Sequence, residues 1–414
     1  MIIAELQHLT KDEKKQILKR GGGIDSDLVK EIVESVKRDG DRALRKYTKK
    51  FDGVELETIQ VSPDEFAEAE KTADPGVVSQ TKTAYENILA YHKKQAESEW
   101  WTEEEGRKLG QILRPVESVG CYVPGGRAFY PSTVLMSTVP AKVAGVKRIV
   151  VTTPPRADGS INEHTLAACK IAGVSEVYKV GGAQAIAALA HGTKSIPRAD
   201  MIIGPGNIYV TTAKKAVYGE VGVDMLAGPS EVLIIADSTA NPGFIASDIQ
   251  AQAEHDPNAS CVLISTDKDV IDAVAAKLNN SPENLPALEN VALLYSDDLN
   301  SAIDFSNKYA PEHLEIMTSD DKAVLKRIQS AGSIFLGPFS PVAAGDYASG
   351  PNHILPTGGC ARFQSGLNVG HFLKRISVQQ LSRLGLEGIG DVVIGLSEAE
   401  GLKYHSESVK KRLR

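Results

Sequence analysis

The 414-residue chain predicts an α/β protein of two Rossmann-like, doubly wound parallel-sheet domains with small helical extensions at both ends. Three observations carry this. From about residue 116 onward, short apolar runs alternate with segments of helical periodicity, leaving little room for antiparallel hairpins. Gly-rich turns follow several of these runs, where parallel strands should end. The length also exceeds what one hydrophobic core organises.

The N-terminal part reads as mainly helical from 10 to 97. Asp25 or Ser26 offers an N-cap for a helix over about 26–38, with Leu28, Val29, Ile32, Val33 and Val36 on one stripe. A second helix is expected over 41–50, and a longer one from Pro75 through His92, a residue with no evident partner. Trp100 and Trp101, then a charged turn and QILRPVESVG, suggest a hairpin leading into the first buried strand.

The first βα series runs from 116 to 237: strands 116–123, 147–153, 175–180, 199–203 and 231–237, with helices 132–146, 161–173, 183–192 and 207–219 between them. A second series follows. Helices are expected over 240–256, 269–278, 299–310 and 321–332, and strands over 259–266, 290–296, 313–318 and 333–337. The implied division is an extension over 1–20, one domain from 21–122 with 231–370, a second inserted over 123–230, and a helical arm over 371–414.

Composition narrows the function. With 42% hydrophobic and 24% charged residues the chain reads as soluble and globular, and a net charge of −7 without a basic stripe argues against nucleic acid or anionic membrane as partner. Neither a signal peptide nor a bilayer-spanning run is visible, so a cytoplasmic small-molecule role is expected. The cysteines at 121, 169, 261 and 360 have no CxxC spacing and read as reduced thiols.

Polar residues collect at particular places. In DIQAQAEHDPN, Gln252 and His255 lie three apart, and on a helix they project from one face toward a metal ion or polar substrate. Pro311-Glu312-His313 sets a carboxylate beside an imidazole at the mouth of a strand. Asp346 and His353 share the loop GDYASGPNH, and Glu400 and His405 lie about a helical turn and a half apart near the C-terminus. Histidine, aspartate and an amide oxygen suit zinc or manganese. Tyr122, Gln184 and Asn207 sit in the Gly-rich turns Tyr122-Val-Pro-Gly-Gly, Val180-Gly-Gly-Ala-Gln184 and Gly204-Pro-Gly-Asn207, none of which is a GxGxxG fingerprint.

Together with Ala227-Gly-Pro-Ser230-Glu-Val-Leu, Gln252-Ala-Glu-His255, Ala310-Pro-Glu312-His313-Leu-Glu and Glu400-Gly-Leu-Lys-Tyr-His405, these motifs resemble histidinol dehydrogenase over nearly the whole chain, in the same order. The resemblance implies an aldehyde-dehydrogenase-like pair of domains and a zinc- and NAD-dependent oxidation of L-histidinol through histidinal to L-histidine, the last step of histidine biosynthesis, with two NAD reduced. It implies one zinc per subunit on Gln252, His255, Asp346 and His405. Substrate would be held by Ser230, Gln252, His255, His313, Asp346, Glu400 and His405, and NAD by Tyr122, Gln184 and Asn207. Glu312 and His313 would transfer protons, and the C-terminal arm would complete the site of the other subunit in a homodimer.

The residue types suit that chemistry. Alcohol oxidation needs a base for the hydroxyl proton, which His313 can supply, and hydration of the aldehyde needs one for water, which suits Glu312. Thiol attack on the aldehyde is disfavoured: Cys121 and Cys261 fall in apolar strands, and Cys360 has no obvious base. A relative acting on another alcohol would tolerate replacement of Glu400 or Glu312; an inactive zinc-binding scaffold is disfavoured by the full set of ligands and proton-transfer residues.

Overall fold

The computed structural model describes residues 1–18, 20, 26–125, 129–280 and 287–414. The expected N-cap at Asp25 and Gly126 of the first Gly-rich turn lie outside the described residues. The chain divides into two compact units, Met1–Gln95 with Glu117–His371, and Ala96–Val116 with Phe372–Arg414.

Both parallel sheets belong to the larger unit. One has five strands in the spatial order Glu176–Lys179, Arg148–Thr153, Ser118–Tyr122, Met201–Ile203 and Gly222–Val223. The other has six, in the order Ile2–Glu5, Val291–Tyr295, Ser260–Ser265, Glu231–Ala236, His313–Met317 and Ser333–Leu336. Leaving aside the N-terminal edge strand, each sheet runs 3-2-1-4-5 in chain order, reversing direction between its first and fourth strands. Helices cover the strands, so the central ones are buried along their length and read as unbroken apolar runs, as in Glu231–Ala236. The doubly wound α/β class expected from the sequence is the one observed.

Several boundaries differ from expectation. Residues 1–20 are not only helical: Ile2–Glu5 is a strand paired in parallel with Val291–Tyr295, Ile2 opposite Ala292, followed by the helix Lys11–Leu18. Ser118–Tyr122, which the expected division groups with 231–370, is the centre of the five-stranded sheet. The helices Ser26–Asp39 and Asp41–Phe51 also join that sheet's core. Val29, Ile32, Val36 and Leu44 pack with Ile186, Leu189 and Ile202, because the apolar stripe of Ser26–Asp39 lies against the helix Gly182–His191, which is buried along its length. His92 has partners after all: its Nδ1–H donates to the Ile88 carbonyl at 2.8 Å and its Nε2 accepts from Asn352 at 3.3 Å, in a fully buried setting.

In the smaller unit the expected hairpin is present. Trp100–Glu104 pairs with Arg107–Pro115 through Glu105 and Gly106, both at positive φ (48° and 77°), the turn geometry that follows strand twist. The stretch 371–414 is not purely helical. Its first part, Leu373–Leu381, lies antiparallel to Arg107–Pro115, and only then come the helices Arg383–Ala399 and Lys403–Leu413, which pack on each other.

Candidate active site

The six-stranded sheet is polar at the amino ends of two neighbouring strands, Glu231–Ala236 and His313–Met317. Glu231 opens one and His313 opens its parallel neighbour, with His313 in register with Val232. In an extended residue N–H and C=O point the same way, and those of Glu231 face residues 312 and 313. The Glu231 N–H donates to Glu312 Oε2 at 2.8 Å, and the Glu231 carbonyl accepts from His313 Nδ1 at 2.9 Å. Both side chains are buried. Burial, then the neighbouring Glu231 and Asp346, raises the Glu312 carboxyl well above its ordinary range. Burial also pushes His313 down to about 4, so the ring is neutral near pH 7. With Nδ1 carrying the hydrogen, Nε2 offers a lone pair; it is buried, has no hydrogen-bond partner among the described residues, and lies 3.8 Å from Asp346 Oδ1.

The Glu231 side chain closes the same edge from behind. Its carboxylate takes Arg20 Nη1 at 2.6 Å and the Gly358 N–H at 2.6 Å. Arg20 stacks over the Tyr309 ring at 4.0 Å and donates to the Tyr309 carbonyl. The result is a buried ion pair whose members are held on several sides, the condition under which such a pair is tolerated. Ser230, immediately before, is half-buried.

Asp346 sits in the short helix Val342–Tyr347, and burial lifts its carboxyl to about 6. Its backbone carbonyl accepts from His353 Nδ1 at 2.9 Å. His353 Nε2 accepts in turn from Thr133 Oγ at 3.3 Å, at the start of the Pro131–Ala144 helix that follows the Tyr122 strand. The amino edge of one sheet and the carboxyl edge of the other are thereby joined.

Gln252 is 3% exposed in the last turn of the helix Pro242–Ala253, and its Nε2 has no partner among the described residues. The helix does not extend to His255 as expected. Asp256 precedes Pro257, which disfavours helical backbone, and His255 lies exposed in the turn that follows. It stays close enough to the cluster to act electrostatically on His313 and His353, whose imidazoles are held below the ordinary histidine range mainly by burial. Glu400 and His405 do not share a helix. Gly401, at φ 74°, ends Arg383–Ala399 just after Glu400, and His405 belongs to Lys403–Leu413; both are exposed, in the smaller unit. Among the described residues no three His, Cys, Asp or Glu side chains form a ready metal cluster.

The glycine turns stand at the carboxyl edge of the five-stranded sheet, where its strand order reverses. Tyr122 is buried, its hydroxyl accepts the Gly182 N–H at 3.2 Å, and burial pushes it to about 12. Gln184 is buried in the first turn of Gly182–His191. The Asn207 side chain caps Ile208–Val217, accepting from the N–H groups of Tyr209 and Val210. Two glycines are required by space: a Cβ on Gly204 would lie 2.1 Å from the Tyr122 carbonyl oxygen, and one on Gly181 2.6 Å from Pro154 Cβ. These glycines let the turns pack closely on the Tyr122 and Pro154 segments, and the helices Gly182–His191 and Ile208–Val217 start at this edge, an arrangement suited to a phosphate-bearing nucleotide.

A buried ion pair not apparent from the sequence holds the Gly204 turn. Asp224 accepts the Gly204 N–H at 2.9 Å, Lys214 donates to the Gly204 carbonyl at 2.9 Å, and the two side chains pair with each other. Lys214→Met leaves Asp224 as an uncompensated buried charge and should cost about 3–5 kcal/mol. Scanning calorimetry reads this as a lowered unfolding midpoint; an unchanged midpoint would mean the pair does not hold the turn. The thiols behave as expected: burial raises Cys121 well above its ordinary value and puts Cys169 and Cys261 at about 12.

The comparisons fit this arrangement. The family description histidinol dehydrogenase matches residues 23–413. Histidinol dehydrogenase of Methanocaldococcus jannaschii is 55% identical, covering 100% of this chain and 99% of its own, and that of Methanococcus maripaludis is 50% identical with complete coverage of both. The crystal structure of histidinol dehydrogenase from Elizabethkingia anophelis superposes with a TM-score of 0.94 at 39% identity, covering 100% of this chain and 98% of that one. Matched from end to end in sequence and in fold, the chain belongs to the histidinol dehydrogenase family.

Proposed function

We propose that this chain is an NAD-dependent oxidoreductase that converts L-histidinol through L-histidinal to L-histidine, reducing two NAD at a site with one zinc ion. The observation that carries the reading is the Glu312–His313 couple: two buried proton acceptors held by one strand residue, with an imidazole lone pair beside Asp346 that meets no hydrogen-bond partner among the described residues.

The residues fit zinc. Gln252 presents a buried amide whose Nε2 has no partner among the described residues, and which way that amide turns is set by what it meets. Asp346 is a carboxyl raised by burial with no Lys or Arg paired to it among the described residues, and its oxygens, with the Gln252 oxygen and the imidazole of His255, are donors zinc accepts. His405 of a second copy would complete the set. When bound, zinc supplies an anchor for the substrate's imidazole and amino nitrogens and Lewis-acid polarisation beside the reacting oxygen.

The chain's own residues then move the protons. His313 Nε2 takes the hydroxyl proton as hydride leaves the same carbon for NAD, giving the aldehyde. Glu312, basic for a carboxylate because it is buried, takes a proton from the water that adds to the aldehyde, while protonated His313 gives its proton to the aldehyde oxygen, so that the hydrate forms and the imidazole is a base again. His313 takes the hydrate's hydroxyl proton as the second hydride leaves, giving the acid. Tyr122, Gln184 and Asn207 position NAD, and Ser230 and Glu400 hold substrate.

A homodimer is supported by Leu384, Val392 and Leu396, exposed along one stripe of the Arg383–Ala399 helix next to the segment bearing His405, an apolar surface that a second copy would cover. Among the described residues no helix is long and apolar enough to cross a membrane, and a cytoplasmic setting suits a biosynthetic enzyme. The test is NADH formation from L-histidinol by the purified protein after chelation and after zinc is restored. Turnover should vanish and return. Substantial turnover in metal-free protein would remove zinc from the reading, and none with zinc restored would remove histidinol.

A further inference from the structure

Behind the candidate ligands lies a pair of acids that the mechanism does not use. Glu315 is buried at the third position of the His313–Met317 strand, on the same face as His313. Asp248 lies on the helix Pro242–Ala253, one turn before Gln252 and on the same side. The two carboxyl groups are within hydrogen-bonding reach of each other. Glu315 Oε1 accepts the N–H of Val342, the first residue of the helix that carries Asp346 one turn later. Glu315 Oε2 is buried and meets no N–H or O–H donor among the described residues.

The surroundings leave one way to satisfy that oxygen. The residues level with Glu315 on the flanking strands are Ile234 and Phe335, both apolar. The group facing it from the Val342–Tyr347 helix is an amide N–H, and the charged group facing it from Pro242–Ala253 is Asp248. Two carboxylates cannot bond each other, and both ionised would repel at contact distance, with Glu315 buried and Asp248 half-buried. A carboxylic acid and a carboxylate can, with the hydrogen lying between them.

We propose that Asp248 and Glu315 share one proton and act as a positioning pair, fixing the helix that bears Gln252, the strand that opens at His313 and the helix that bears Asp346 against one another. The pair touches neither substrate nor cofactor, and its role in the reaction rests on the reading of those three residues given above. Burial raises both groups, Asp248 to about 6 and Glu315 well above its ordinary value. The sign follows: above the unfolded values the folded state binds more protons than the unfolded one, so the pair's contribution to stability falls as pH rises through the folded values. Loss of the shared proton sets two like charges between the helix and the strand and drives them apart.

Glutamine at 315 supplies a permanent hydrogen in place of the titrating one: its amide N–H can donate to Asp248 while its oxygen accepts from Val342. Leucine supplies neither. The experiment compares wild type, Glu315→Gln and Glu315→Leu, each with zinc, by unfolding midpoint without substrate from about pH 6 to about pH 9 and by steady-state kinetics over the same range. The wild-type midpoint should drop over that range by at least roughly 2 °C more than that of E315Q. E315Q should keep kcat near neutral pH and hold it further into alkali. E315L should lose kcat by roughly ten- to hundredfold, as for a site displaced by a fraction of an ångström, with little change in KM for NAD, whose turns lie on the other sheet. Identical midpoint-against-pH curves for wild type and E315Q, or an unimpaired kcat in E315L, overturns the proposal. If E315L does not fold, Asp248→Asn, which carries the hydrogen on the other partner, takes its place and must flatten the same curve. The midpoint series needs no turnover, so it reads the pair even if histidinol proves not to be the substrate.

Discussion

Asparagine at position 313 should lower kcat with L-histidinol by about 10²–10⁴-fold while leaving the fold intact. The Asn amide N–H can reproduce the bond that His313 Nδ1 makes to the Glu231 carbonyl at 2.9 Å, so the side chain stays in place. What it lacks is the Nε2 lone pair facing Asp346, and both hydride transfers need that base. Glu312→Gln should behave differently. A glutamine oxygen can still accept the Glu231 N–H now held at 2.8 Å, but it cannot take a proton from water. The first oxidation should run close to its normal rate and the second should stall, so that histidinal accumulates and one NADH, not two, appears per histidinol consumed. Stopped-flow absorbance with aldehyde trapping measures both. Equal slowing of the two oxidations in E312Q would dissolve the division of labour between the two groups.

A His255→Ala chain and a His405→Ala chain should each be nearly inactive alone and recover activity when mixed. In a heterodimer whose arms exchange, one site carries both defects and the other carries none, so roughly one site in two is whole. Native mass spectrometry establishes that heterodimers form, and NADH production reads the recovery. Heterodimers without activity would mean that the arm serves its own chain.

The fold was legible where burial is two-sided. Strands such as Glu231–Ala236 and Ser260–Ser265, covered on both faces, cannot be anything but apolar runs, and the helices between them carry caps such as Asn162, Asn207 and Asp267. Ile2–Glu5 and Leu373–Leu381 were missed because what makes them strands is a partner some 260 to 290 positions away in sequence, not a local pattern. The helix end at Ala253 was within reach, since Pro257 marks it. At the site, Glu312, His313 and Asp346 stood out as polar residues in tight motifs and the structure brings them together. Glu231, Asp248 and Glu315 lay inside motifs already singled out, and Lys214 and Asp224 outside them, yet nothing local marked any of these charges as buried or paired. A buried charge looks like a solvated one until its counterpart is known, and Arg20 stands 211 positions from Glu231.

Because Glu312 and His313 are held by the main chain of Glu231 and not by its carboxylate, the two halves of residue 231 are separable for an engineer. Exchanging the side chain perturbs Arg20 and Gly358 but leaves the acid–base couple its anchors, whereas proline there erases the N–H that Glu312 depends on. Redesign of this enzyme for a different alcohol can therefore range over other residues, while the relative placement of Glu312 and His313, the proposed proton carriers, is inherited from strand backbone and will resist retuning by point mutation.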